Sequence, residues 1–560
     1  MLPHREDLDG GPSWYHRMFS RCLKPRRKNR KSATLIEMAR LEAEKLIKDD
    51  PQLSAIVHEG QGAAGDLDRQ WEEFVNRLSS KVLVEFGRKT LDRLAGARLF
   101  DLFHSAGSAG ALYALLAPYF VGFSLHASQR TWARQVEKHF SSENPANGNG
   151  SKPRRIRVAH FTDTFDEDNS VARTIRQSLE SALQTSADYT ILICAREGRT
   201  FQRGVRQFTS IGSFELPEYP ELKVLCPPLL QMLNHCYEED YTHIHIATPG
   251  PVGLAGLAIA RILHLPVVGT YHTCLPQYAK VLTDDGYIED ILWRCMIWFY
   301  DQMDRVYVPS RATGRQLAGR GLTEEKIMVY PRGVDLDHFR PERRSSAARK
   351  ELQLEEQKTV FIYAGRVCQE KNLHLISRAF RTLYEKGHPC QLLIAGDGPY
   401  RSKMESDLSE TGAVFTGHLD GEKLADLYAS SDVLVYPSAN DTFGNAVLEA
   451  QASGIPVIVS DAGGPCENVI PGQTGLVVRA QNIEELTAAM EEMVLHPERR
   501  LKMGAAAREK MKKRDRIEAF REYWNLYTDF QRVENGEKHL TDSFLGAGLA
   551  SEVSALAPEG

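Results

Sequence analysis

Two series of short apolar runs divide the chain. In the first, Ile156 to Phe161, Thr190 to Cys194, His243 to Ala247, Val267 to Tyr271 and Val306 to Val308 alternate with stretches of helical periodicity. In the second, the runs are Val360 to Tyr363, Leu392 to Ala395, Val414 to Thr416, Val433 to Tyr436, Val457 to Val459 and Leu476 to Val478. Continuous apolar runs, rather than strict alternation, mark strands covered by helices on both faces, as in parallel sheets. The pattern therefore predicts an α/β fold with two Rossmann-like, doubly wound domains. Ligands of such sheets bind beyond the carboxyl ends of the strands, so a cleft faced by both domains is expected.

The region before residue 150 follows another grammar. Residues 33–48 and 67–103 read as charged amphipathic helices. The stretch from Ala109 to Leu125 is uncharged but falls short of the roughly 20 residues of a spanning helix. Gly110, Pro118, Gly122 and Ser124 interrupt it, which predicts a buried or membrane-dipping helical hairpin. Residues 141–151, rich in Ser, Asn, Pro and Gly, read as a flexible linker. The expected organisation is a helical region over 1–150, an acceptor domain over 151–330, a nucleotide-sugar domain over 331–535 and a disordered tail over 536–560.

Composition narrows the function classes. The 560 residues are 42% apolar and 26% charged with a net charge of -5, typical of a globular protein and giving no reason to expect nucleic acid as a partner. The cysteines form no C-x-x-C pair or zinc-spaced cluster, so a reduced interior without a metal is expected. No signal-like apolar core is seen in the first thirty residues, which predicts a cytoplasmic protein. Charge is concentrated locally: Trp14, Tyr15, Met18 and Phe19 precede Arg21, Lys24, Arg26, Arg27, Lys28, Arg30 and Lys31. Two readings of this segment stay open. It is a solvated basic tail, or it draws the protein to the inner face of an anionic membrane, at about 1 kcal/mol per basic residue near the surface.

Candidate chemistry gathers in the second series. After its first strand comes Gly365-Arg366-Val367-Cys368-Gln369-Glu370-Lys371-Asn372, a turn that brings a guanidinium and an ammonium to the cleft rim. Arg binds phosphate oxygens at two points and Lys adds a point charge, so together they can neutralise a diphosphate. A solvated loop with a charge pair to Glu370 is the alternative. The run Asn440 to Ala450 sets Asp441 in a loop and Glu449 on a helix, with Gly444 where the helix opens and its first amides face outward. Ala395-Gly396-Asp397-Gly398-Pro399 lacks dinucleotide spacing and shapes the cleft wall. Gly417-His418-Leu419-Asp420 ends a strand at the same rim, where Leu419 marks the nucleobase region.

In this order, with Gly472-Gln473-Thr474-Gly475-Leu476-Val477 after them, the motifs resemble those of glycosyltransferase family 4, enzymes of the GT-B fold. The resemblance runs from about Arg155 to Phe530. The Asp441-Thr442-Phe443-Gly444-Asn445 run and the Arg332-Gly333-Val334-Asp335 turn are most similar to α-mannosyltransferases that use GDP-mannose and lipid acceptors. The resemblance implies that Arg366 and Lys371 bind and stabilise the leaving diphosphate and that Glu449 holds the ribose. It places Asp441 at the donor sugar, and backbone amides of Phe443, Gly444 and Asn445 at the sugar and distal phosphate. His272, in Thr270-Tyr271-His272-Thr273, would lie near the sugar C6 hydroxyl and the acceptor. Asn169 and Ser170 match a donor-binding loop in which relatives usually carry Asn-Gly. Ser170 replaces that glycine, and Asp166, Glu167 and Asp168 precede it, a departure that bears on the acceptor more than the donor.

The implied activity is retaining, metal-independent hexosyl transfer by front-face displacement, with no cofactor beyond the nucleotide sugar and a lipid or glycan acceptor. A UDP-glucose or UDP-sulfoquinovose donor is an alternative. So are a nucleotide-sugar 2-epimerase and a degenerate, nucleotide-binding membrane scaffold.

Overall fold

The structure is a computed structural model that describes residues 35–49, 51, 73–84, 116–136, 155–167, 169–195, 201–216, 219–272, 274–277, 286–419 and 421–534. The basic-aromatic segment, residues 109–115, the linker at 141–151, Asp168, Thr273, Asp420 and the tail lie outside them, as does Cys22. The chain divides into two compact units. The first comprises residues up to Leu179, Tyr189–Val308 and Gly314–Met328, and the second comprises Glu180–Asp188, Pro309–Thr313 and everything from Val329.

The strands of the first unit are β1 (Arg157–Phe161), β2 (Asp188–Ala195), β3 (Val205–Thr209), β4 (Gly212–Leu216), β5 (Tyr219–Cys226), β6 (His243–Ile246), β7 (Val267–Thr270), β8 (Arg305–Val308) and β9 (Ile327–Val329). A 7-stranded sheet runs β3-β2-β1-β6-β7-β8-β9, with β4 and β5 paired as a separate antiparallel hairpin. The expected apolar runs all became strands. The additions are β3, the hairpin and β9. In β3 only Phe208 is buried, so its sequence, Val-Arg-Gln-Phe-Thr, carries the half-polar pattern of an edge rather than an apolar run.

The helices at 35–49, 73–84 and 116–136 belong to this unit. Phe74, Val75, Leu78, Val82, Leu116 and Ala127 join its core. Residues 116–136 are helical without interruption, so Pro118, Gly122 and Ser124 do not break the chain there, while the part of the expected hairpin before residue 116 lies outside the described residues. This helix is clamped by Arg134, whose Nη2 donates to both carboxylate oxygens of Asp240 at 2.7 Å, and by Arg130 stacked 3.9 Å over the Tyr237 ring. Among the described residues no helix is long and apolar enough to cross a membrane.

The second unit contains β10 (Thr359–Ala364), β11 (Cys390–Ala395), β12 (Val414–Gly417), β13 (Val433–Tyr436), β14 (Val457–Ser460) and β15 (Gly475–Val478). These form a 6-stranded sheet in the order β12-β11-β10-β13-β14-β15, parallel throughout. The apolar runs are fully covered: Val360, Phe361, Ile362, Leu392, Leu393 and Val433 show no exposure. Helix Leu373–Glu385 lays Leu373, Ile376, Phe380 and Leu383 against the sheet, apolar positions three and four apart on one face. Strand order reverses between β10 and β13, which register as Phe361 with Val433 and Ile362 with Leu434. At such a reversal the loops following neighbouring strands diverge and leave a crevice. Those loops hold Arg366, Lys371 and Asp441.

Candidate active site

The turn after β10 is built from backbone. Gly365 N donates to Ala395 O and Val367 N to Asp397 O, both at 2.9 Å, while Tyr400 N donates to Val367 O at 3.0 Å. The Gly396-Asp397-Gly398 loop thus serves as a wall that fixes Arg366, whose side chain stands exposed at the rim. A 3-10 turn at Gln369–Lys371 leads to Asn372, in left-handed backbone at φ 58, which opens helix Leu373–Glu385. Asn372 Nδ2 donates to Pro437 O at 3.3 Å, tying the β10 loop to the loop after β13.

That tie brings the two candidate charges together. Lys371 Nζ donates to Asp441 Oδ1, and Tyr436 OH donates to Asp441 Oδ2 at 2.7 Å. The Tyr436 ring stacks on Tyr363 with centroids 5.8 Å apart, and Tyr363 OH donates to Arg366 O at 2.9 Å. Two aromatic side chains therefore floor the site and reach both loops. Burial by itself would raise the Asp441 carboxyl, but the Lys371 charge and hydrogen bonds outweigh it and hold the group below its ordinary value. Burial likewise opposes the Lys371 charge, and Asp441 reverses the balance and raises it. Both groups stay ionised.

The loop after β13 continues into helix Asn445–Ala452. Gly444 caps it at φ 82 with no side-chain cap, a conformation that favours glycine. A Cβ there would also lie 2.9 Å from Pro465 Cγ. Phe443 is buried under the Arg332 guanidinium, 4.6 Å from ring centroid to cation, which connects the Arg332-Gly333-Val334-Asp335 turn to the loop. Asn445 is partly exposed at the first helical position. Glu449, 7% exposed, accepts a hydrogen bond from Tyr428 OH at 3.0 Å on Oε2. Leu419 follows the end of β12, partly buried against the core of this unit.

The remaining candidates lie in the first unit. His272 follows β7 and is partly exposed. Asn169 is occupied locally: its Oδ1 accepts from Ala172 N at 2.8 Å and its Nδ2 donates to Glu167 Oε2 at 2.6 Å, so it caps helix Ser170–Thr185. Ser170 is exposed at the first position of that helix. Asp163, in the same loop, receives Val252 N at 2.8 Å and Thr248 Oγ1 at 2.7 Å and closes the amino end of helix Pro251–Leu263. Burial raises its carboxyl.

Sequence reasoning missed four partners of this candidate site: Tyr363, Tyr436, Tyr428 and the turn Asp461-Ala462-Gly463-Gly464-Pro465. In that turn Gly464 N donates to Asp441 O at 2.8 Å, and a Cβ at Gly464 would lie 2.0 Å from Thr442 O. The glycine pair directly after the apolar run of β14 was the available signal.

Comparison with known proteins shows the family and the fold. Residues 345–510 match the family described as Glycosyl transferases group 1, and residues 171–338 match Glycosyltransferase Family 4. The chain is 31% identical over 374 residues to a sulfoquinovosyl transferase of Arabidopsis thaliana, covering 65% of this chain and 71% of that one. It is 29% identical over 367 residues to a GDP-mannose-dependent alpha-mannosyltransferase of Corynebacterium glutamicum, covering 64% and 85%. The solved sucrose-phosphate synthase of Thermosynechococcus elongatus superposes with a TM-score of 0.55 at 20% identity, over 68% of this chain and all of that one, a likeness of fold.

Proposed function

The chain belongs to glycosyltransferase family 4, with the GT-B fold, and on that premise we propose that it moves mannose from GDP-mannose to a hydroxyl of a lipid or glycan with retention of the α configuration. The observation that carries this reading is the ionised Lys371 and Asp441 pair held at the strand reversal of the second unit, beside the helix that Gly444 opens. Supporting the choice of mannose are the Asp-Thr-Phe-Gly-Asn run and the similarity to the corynebacterial enzyme.

In the proposed reaction the donor diphosphate competes with Asp441 for the Lys371 ammonium and takes Arg366 as a second cation. The C1–O bond to the diphosphate breaks as the acceptor oxygen forms its bond on the same face. The acceptor proton passes to the departing phosphate oxygen. Catalysis is then positioning plus neutralisation of the leaving group, and no metal is assigned to it. Asp441, released from Lys371 but still held by Tyr436, orients the sugar hydroxyls. Glu449, whose Oε2 is fixed by Tyr428, takes the ribose. His272 is assigned to the acceptor side of the reaction.

A lipid acceptor is supported by the outer face of the helix at 116–136. Val121, Leu125 and Trp132, spaced to share one side, are 53%, 59% and 66% exposed. A second donor reading, UDP-sulfoquinovose, is favoured by the identity and coverage of the Arabidopsis relative. Incubation with labelled GDP-mannose, UDP-glucose and UDP-sulfoquinovose and a total lipid extract separates the readings. Mannose label in an organic-soluble product, with an α-configured linkage by NMR and no loss of rate in excess chelator, supports the proposal. Transfer from a UDP donor alone would replace it.

A further inference from the structure

The Phe443–Gly444 peptide is held from behind by one buried amide. Asn468, 1% exposed at the end of the short turn Pro465–Asn468, donates from Nδ2 to Phe443 O at 2.8 Å. The other polar atoms of Asn468 are also engaged. Its Oδ1 accepts from Arg514 Nη1 at 2.7 Å, and its backbone oxygen accepts from Lys510 Nζ at 2.8 Å and from Gln451 Nε2 at 2.9 Å. Burial pulls the Lys510 ammonium down to about 8, with repulsion from Arg514 adding to it, and burial also lowers Arg514, towards which Glu522 and Glu467 act favourably. Both cations are thus short of hydration, and the oxygens of Asn468 are acceptors they depend on.

The planarity of the peptide bond turns this hub into a statement about the donor loop. In a trans peptide the N–H points opposite to the C=O. With Phe443 O pulled back towards Asn468, the Gly444 N–H is aimed to the other side of the loop. A peptide next to a glycine at φ 82 can flip at low cost unless something anchors it, and the Asn468 amide is that anchor. We propose that Asn468, oriented by Arg514 and Lys510, is a positioning residue that aims the Gly444 N–H at the distal phosphate of the nucleotide-sugar donor. The inference rests on the donor assignment made above. It adds a route by which helix Pro497–Met511 and the segment after it set donor affinity without touching the donor.

The choice of acid at this position separates orientation from packing. Asn468→Asp keeps the volume, the acceptor for Arg514 and the backbone oxygen for Lys510 and Gln451, but it cannot donate to Phe443 O. A hydrogen bond to a charged phosphate is at stake only for ligands that carry the distal phosphate. Affinity should therefore fall by about tenfold or more for GDP while affinity for GMP stays within about twofold, at a melting temperature close to that of the wild type. UDP and UMP are run in parallel, so that the inference is tested with whichever base the protein prefers. Titration calorimetry on the full chain reads all four constants. Asn468→Ala serves as the second variant, and selective loss of the diphosphate in either soluble variant supports the role. Equal affinity of wild type and both variants for the diphosphate would overturn it, as would a parallel loss of mono- and diphosphate binding. Failure of the wild type to bind either diphosphate would overturn the donor assignment, and the positioning role with it.

Discussion

Replacing Lys371 with alanine probes stability and catalysis through different consequences of the same contact. Lys371 and Asp441 are 20% and 19% exposed, and Tyr436 supplies the second bond to the carboxylate. Breaking a fully buried pair costs about 3 to 5 kcal/mol, because a charge is left uncompensated, whereas exposed pairs are worth about 0 to 1. One-fifth exposure discounts the buried figure to about 2 to 3 kcal/mol, equivalent to a fall of about 5 to 10 °C in the melting temperature of a unit this size. Lys371→Ala combined with Asp441→Asn leaves no unpaired carboxylate and should regain more than half of that loss. Activity should not follow. Both variants lack the cation that meets the leaving group, so kcat/KM should drop by about 2 to 4 kcal/mol, roughly 30- to 1000-fold, in each. Thermal melts by circular dichroism and initial rates of sugar transfer measure the two effects on the same samples. A single variant as stable as the wild type would refute the claim that the pair is buried and coupled. A double variant with restored turnover would refute the role of Lys371 at the leaving group.

Three other outcomes are expected. The Asp441 carboxyl lies below its ordinary value, so its pairing stabilises the fold above pH 4 and is lost as pH falls through the lowered value. Acid unfolding followed by tyrosine fluorescence should accordingly be steeper in the wild type than in Asp441→Asn, and identical slopes would contradict the coupling. Gly464→Ala places a methyl group 2.0 Å from Thr442 O and must shift the donor loop. Its kcat/KM should fall at least about tenfold, and a wild-type rate would show that the loop tolerates displacement. Tyr428→Phe removes the bond to Glu449 Oε2 and should weaken donor binding by about 1 kcal/mol, with no such penalty for a 2′,3′-dideoxy nucleotide, which lacks the hydroxyls Glu449 would hold. An equal penalty for both nucleotides would count against the ribose assignment.

Much of the fold was legible because parallel strands covered on both faces are written as apolar runs. Every run in the two series lies in a strand of the expected sheets. The edge strand β3 was not legible, since a strand with only Phe208 buried carries too few apolar positions to stand out from a loop, and no continuous apolar run marks the hairpin of β4 and β5. Within the expected hairpin, Pro118, Gly122 and Ser124 suggest breaks, yet residues 116–136 are helical throughout. In the structure tertiary anchoring by Arg130, Arg134 and Phe123 carries the helix through them. At the donor loop, the charged residues were visible from their spacing, but what orients them was not. Tyr363 and Tyr436 looked like ordinary strand residues, and Asn468 like a turn residue. Their roles depend on contacts between loops distant in sequence. Asn169 shows the reverse: a residue matched to a binding loop by position is engaged as a helix cap.

As proposed, the ionised Lys371 and Asp441 pair marks a sugar-donor site that serves transfer from GDP-mannose. The most direct measurement gives labelled GDP-mannose and a total lipid extract to the wild type and to Lys371→Ala, and counts label recovered in the organic phase. The wild type should yield mannosylated lipid, and the variant at least about 30-fold less. Labelled lipid made equally well by both, or no transfer from GDP-mannose where a UDP-sugar is used, would contradict the proposal.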